Sequence, residues 1–138
     1  MVVYSFGLIS GFLERVKMKK DIDKEIVEWS IQTFPDLTLE KQLVKLSHEI
    51  DEVFQAKREG KDDDVLCELA DMYIVSRILA DRFDNSIGRY FIGLLTECPT
   101  PKAMEAVKEK MEKNKKRKWV KLDDGTYQHK EAEDGKSA

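Results

Sequence analysis

Two pairs of carboxylates carry the strongest chemical signal in this chain, Glu49-Ile-Asp-Glu52 and Glu68-Leu-Ala-Asp71. Spacing of three residues sets both members of a pair on one helix face, one turn apart. On a helical wheel, Glu49 and Glu52 border an apolar stripe of Leu39, Leu43, Leu46, Ile50, Val53 and Phe54, while His48, Asp51 and Gln55 point away. Glu68 and Asp71 share a face with Val75, Ile78 and Leu79, in a segment apolar almost all round. Such a segment belongs at the centre of a helical bundle. Unpaired carboxylates are costly there. A short connection at Gly60 to Asp62 makes the two helices antiparallel and lets the pairs face each other. Four converging carboxylates must then take up protons or share a cation. Oxygen-only donors, without His or Cys, suit Mg²⁺, with Mn²⁺ as a substitute. The competing reading is two solvated acidic pairs, and the apolar setting of Glu68 and Asp71 weighs against it. A di-iron bundle site asks for Glu-x-x-His, which is missing here. The run Asp62-Asp63-Asp64 lacks the glycine and distal glutamate of a calcium loop. It reads as a helix start with Asp62 as cap, an acidic first turn that suits the helix dipole, and Asp64 on the Glu68 face.

A second constellation is basic. Lys110, Lys113, Asn114 and Arg117 are spaced 0, 3, 4 and 7, a helical face. Beside an acidic metal site, such a face fits a polyphosphate: the metal bridges phosphate oxygens and the cations neutralise the rest. By itself the run also serves as a basic helix C-terminus paired with Glu105, Glu109 and Glu112, with Lys108, Lys115 and Lys116 in solvent. The net charge of −3 gives no general reason to expect nucleic acid as partner. No Ser-His-Asp or Cys-His arrangement competes for a catalytic role.

The elements that must position these residues are helical. With 138 residues, 41% hydrophobic and 37% charged, the chain suits one soluble domain. Ile22, Ile26, Trp29 and Phe34 predict a first helix over about 21–34, ended by Pro35. Thr38 caps a second helix over about 39–59, stopped by Gly60. A third covers about 63–83, and Asp84-Asn85-Ser86 breaks it. A fourth covers about 87–96. Thr100-Pro101 opens a fifth, reaching about Lys118. Asp124-Gly125, between short alternating runs, predicts a hairpin or extended arm. The expected fold is an all-α antiparallel bundle of four to five helices, with residues 18–130 as the domain. Residues 1–17 read as an appendage and 131–138 as a disordered tail. The apolar run near the N-terminus is too short to span a bilayer and lacks a basic residue before it. No membrane partner is expected. Cys67 and Cys98 read as reduced core residues of a cytoplasmic protein.

The order E49-I-D-E52, fifteen residues, E68-L-A-D71, then K110-x-x-K113-N114-x-x-R117, resembles the all-α nucleoside triphosphate pyrophosphohydrolases of the MazG-like group. E28-W29-S30-I31-Q32-T33-F34, N114-K115-K116-R117-K118-W119 and D124-G125-T126-Y127-Q128-H129 resemble its dATP/dGTP diphosphohydrolase-like subfamily. The likeness covers about residues 21–130. It implies Mg²⁺-dependent hydrolysis of a nucleoside triphosphate, most simply a purine dNTP, to monophosphate and pyrophosphate. Glu49, Glu52, Glu68 and Asp71 would hold metal, with Glu49 or Glu52 orienting or deprotonating water. Lys110, Lys113 and Arg117 would hold phosphates, and Asn114 a phosphate or sugar oxygen. Trp29 is the base-stacking candidate, with a core tryptophan as the competing reading. Trp119 is expected to pack the arm on the bundle, and His129 to be a hairpin residue. The likeness also implies a homo-oligomer, dimer or tetramer. A catalytically silent dimerisation or nucleotide-sensing module is the alternative, and the intact carboxylate set argues against it.

Overall fold

The computed structural model describes the backbone of residues 2–96 and 101–130, with side chains for 10–95 and 102–130. Five α-helices pack against one another: α1 (Val2–Thr33), α2 (Leu39–Arg58), α3 (Asp62–Arg77), α4 (Ser86–Thr96) and α5 (Pro101–Lys116). A small antiparallel hairpin follows, β1 (Lys118–Lys121) and β2 (Tyr127–Lys130), in register Trp119 opposite His129. The all-α bundle with a short hairpin is therefore the observed fold.

Local chemistry accounts for most boundaries. Thr38 caps α2 by accepting a hydrogen bond from the Lys41 amide at 3.2 Å. Gly60, at φ +69°, makes the tight return to α3. The N-cap of α3 is Lys61, not Asp62; Asp62, Asp63 and Asp64 all lie in the first turn, where they offset the helix dipole. Asn85 Oδ1 accepts from the amides of Ile87 at 2.9 Å and Gly88 at 3.2 Å, so α4 begins one residue earlier than the sequence predicts. The last turn of the third helix, Ile78–Arg82, widens to π-helical form. The α5 helix ends at Lys116, and the following residues enter the hairpin. Gly125, at φ +86°, and the Asp124 carboxylate, which accepts from the Thr126 amide at 2.9 Å, form its turn. Lys130, the last residue of the expected domain, pairs with Lys118. Residues 131–138, Thr100 and Cys98 lie outside the described residues or side chains. Cys67 is exposed, not a core residue.

The first helix departs most from expectation. It starts at Val2, not near Asp21. Nothing between residues 2 and 20 stops a helix, since the stretch has no proline and many good helix formers. Among the described side chains its first buried apolar residue is Ile22, and Phe12 and Leu13 are exposed. The segment read as an appendage is thus a helical continuation of an element whose later half is core.

Two buried clusters share α3. One joins Ile22 and Ile26 of α1, Tyr73 and Ile74 of α3, and Val107 and Met111 of α5. The other joins Leu46 of α2 to Met72, Val75 and Leu79. Burying one such side chain stabilises the fold by about 1.5–3 kcal/mol. Polar ties fix α1 on this frame. Buried Asp23 accepts from the Tyr73 hydroxyl and pairs with Arg77 at 3.3 Å. Arg82 donates to the carbonyls of Ser30 and Phe34, each at 2.8 Å, and so satisfies the C-terminal end of α1.

Candidate functional site

Glu49, Glu52, Glu68 and Asp71 converge. One carboxylate oxygen from each lies within 4.8 Å of all the others. The antiparallel pairing of α2 and α3 across Gly60 produces this meeting, as the spacing predicts. Glu49 is buried at 4% exposure, Glu68 and Asp71 are partly buried, and Glu52 is exposed. Burial pushes the Glu49 carboxyl up to about 7, against the pull of Lys45 at 3.2 Å. Burial also pushes Glu68 up to about 8, helped by neighbouring Glu52, Asp71 and Glu49. Asp71 is raised by burial and held back by Lys110, 3.3 Å away.

The donor set fits a hard divalent cation. Glu49 Oε2 and Glu68 Oε2 are buried with no hydrogen-bond partner. Two orphaned carboxylate oxygens in a group of four carboxylates are unfavourable alone and complementary to a divalent cation. Among the described residues this is the group of carboxylates, histidines and cysteines with metal-ligand geometry.

The cluster lies in the wall of a cavity of about 700 Å³. Lys110, Asn114 and Arg117 of α5 form another part of that wall. Asn114 is buried, and its Oδ1 accepts from Arg117 Nη1 at 3.1 Å. Lys113 is exposed and does not line the cavity. At 100° per residue it sits roughly 60° to one side of Lys110, while Asn114 sits roughly 40° to the other. The face the cavity uses is 110, 114 and 117. Asp64 is likewise exposed and off the wall.

Aromatic rings complete the enclosure. Trp29 is partly buried and meets Phe34 and Trp119 edge-on, with centroids 5.2 and 5.8 Å apart. Phe34 contacts Tyr127 at 4.6 Å, and Trp119 contacts His129 at 5.5 Å. All five rings line the cavity. Trp119 anchors the hairpin, as expected, and its indole N–H donates to the Asn114 carbonyl at 3.1 Å. Trp29 belongs to this ring cluster and contributes to the cavity surface.

Several lining residues escape the sequence reading. Lys45 and Gln42 line the cavity from α2, and so does His48, which the wheel turned away. The missed signal is a second stripe on α2: Lys41, Lys45, His48 and Glu52 follow i, i+4, i+7, i+11. That polar stripe lies roughly 160° from the Leu43–Leu46–Ile50 core stripe. Phe54, placed in the core stripe, is 60% exposed. Among the described residues no helix is long and apolar enough to cross a membrane. Comparison of the chain with family models, curated proteins and solved structures finds no match.

Proposed function

We propose that this chain hydrolyses a nucleoside triphosphate, a purine dNTP by preference, to the monophosphate and pyrophosphate with Mg²⁺. The observation that carries this reading is the four-carboxylate cluster set in the same cavity wall as Lys110, Asn114 and Arg117 and a group of aromatic rings. The motif resemblance to MazG-like enzymes supports it. Glu49, Glu52, Glu68 and Asp71 would hold the cation. When bound, the cation neutralises phosphate charge and polarises the reacting phosphorus centre. Lys110 and Arg117 bind phosphate oxygens, and Asn114 offers its amide N–H to a phosphate or sugar oxygen. Trp29 covers the base. Glu52, the most exposed of the four carboxylates, takes the proton of the attacking water at its carboxylate oxygen. Water oxygen bonds to the α-phosphorus, the bond to the α–β bridging oxygen breaks, and pyrophosphate leaves. The fixed cations and partial enclosure spare solvent reorganisation during this step. In this reading the protein works in the cytoplasm as a homo-oligomer, without nucleic acid or membrane as partner.

The test is incubation with each common dNTP and NTP plus Mg²⁺ or Mn²⁺, with products separated by anion exchange. Monophosphate and pyrophosphate from purine dNTPs are expected. A Glu52→Gln variant should fold normally and lose on the order of 10²–10⁴-fold in turnover, the range of a lost general base. Absence of turnover with every nucleotide and both metals would instead leave a silent nucleotide-binding module.

A further inference from the structure

Lys45 occupies the middle of the α2 surface that faces the cavity. Taking it as zero on the wheel, Lys41, His48 and Glu52 fall within roughly 60° on one side, and Gln42 and Glu49 within roughly 60° on the other. All six line the cavity. Its ammonium sits 3.2 Å from Glu49 Oε1, while the other oxygen of that buried carboxylate has no partner. Lys45 itself is 45% exposed, on a long stem free to swing. A helix-surface pair at i, i+4 ordinarily joins two solvated groups. Here one member is a buried carboxylate of the acidic cluster and the other opens to the cavity. Lys110 holds Asp71 in the same manner from α5, with both groups largely buried.

We propose that Lys45 is a counter-cation exchanged during substrate binding. In the free chain it neutralises Glu49. When a divalent cation takes that carboxylate, the Lys45 ammonium is released into the cavity and binds a phosphate oxygen of the incoming triphosphate. This inference rests on the metal-and-triphosphate reading of the site and adds to it a fourth phosphate-binding group, on α2. Its consequence is a split in sign. Lys45 competes with the metal when no nucleotide is present and assists the nucleotide once metal is bound.

The experiment compares the full-length protein with Lys45→Gln and Lys45→Arg. Mn²⁺ alone is titrated by calorimetry, and KM and kcat are measured with a purine dNTP at saturating Mn²⁺. Lys45→Gln should bind Mn²⁺ roughly tenfold more tightly and raise KM roughly tenfold, the size of one partly screened charge at this distance. Its kcat should stay within about threefold, and Lys45→Arg should restore KM. If both affinities of Lys45→Gln weaken together, or neither moves, the exchange role is overturned while the hydrolase reading stands. A parent protein that neither binds Mn²⁺ nor turns over any nucleotide overturns both.

Discussion

Glu49 and Glu68 have one oxygen each that is buried without a partner, and this fixes how the metal-free protein responds to pH. Both carboxyls titrate near 4.5 when solvated, but burial raises Glu49 to about 7 and Glu68 to about 8 in the folded chain. Between those values the folded chain keeps protons that the unfolded chain has released. Stability therefore falls as pH rises, since the unfolded state binds fewer protons. The contribution is intact below about pH 4.5 and gone above about pH 8. In EDTA, Tm should drop steadily from about pH 5 to about pH 8.5, all else equal. Added Mn²⁺ should reverse the trend, because the ion needs ionised ligands and stabilises the folded state it binds. A melting series at both pH values, with and without Mn²⁺, checks this. A Tm in EDTA that rose over that range would mean the cluster is solvated and ionised throughout.

Among the elements, the third helix carries two of the four carboxylates and residues of both buried clusters, and its own sequence announces both. Polar Glu68 and Asp71 stand out because nearly every neighbour on their helix is apolar, so the constellation is legible without a fold. Lys113 is not, because a spacing of three or four fits two slightly different faces, and only the position of α5 on α3 selects one. The N-terminal half of α1 is illegible for another reason: among the described side chains, none from residue 10 to residue 21 is buried, so no stripe there reports the helix. The π-helical turn at Ile78–Arg82 is equally silent in sequence, yet α4 depends on it. A Cβ at Gly88 would lie 2.6 Å from the Ala80 nitrogen and 2.6 Å from Leu79 Cβ, with the Leu79 carbonyl carbon at 2.9 Å. Those atoms are backbone or adjoin it, so they cannot step aside. Gly88→Ala would normally favour an α-helix by up to about 1 kcal/mol. Here overpacking should win, with a net loss of about 1–3 kcal/mol in chemical denaturation. Because Leu79 and Ile78 tie this turn to the second cluster and the cavity wall, the same variant should also raise KM.

At the scale of the molecule, the cavity joins two structures of different origin. Its acidic wall sits on α2 and α3, which pair through a tight turn and share a buried cluster. Its aromatic wall is assembled from distant parts of the chain, the end of α1 and the hairpin. These are held by ring contacts, by Arg82, and by an ion pair between Lys121 and Asp36. The hairpin is too short to persist alone, since two strands without a packed face are marginal in water. Trp119 is the joint: it meets Trp29, Phe34 and His129 and bonds the Asn114 carbonyl. Removing it should therefore loosen one wall and leave the other. Trp119→Ala should cost about 1–3 kcal/mol, less than a fully buried tryptophan because the ring is only partly covered. Mn²⁺ affinity should stay within about twofold, since all four carboxylates of the cluster sit on α2 and α3, whereas on the proposed function KM for the nucleotide should rise roughly tenfold or more as the cavity loses an aromatic wall. Calorimetry with Mn²⁺ and steady-state kinetics on the same preparation separate the two walls. Equal losses in both would mean that the cavity closes as one cooperative unit, with the hairpin propping the helices that carry the carboxylates.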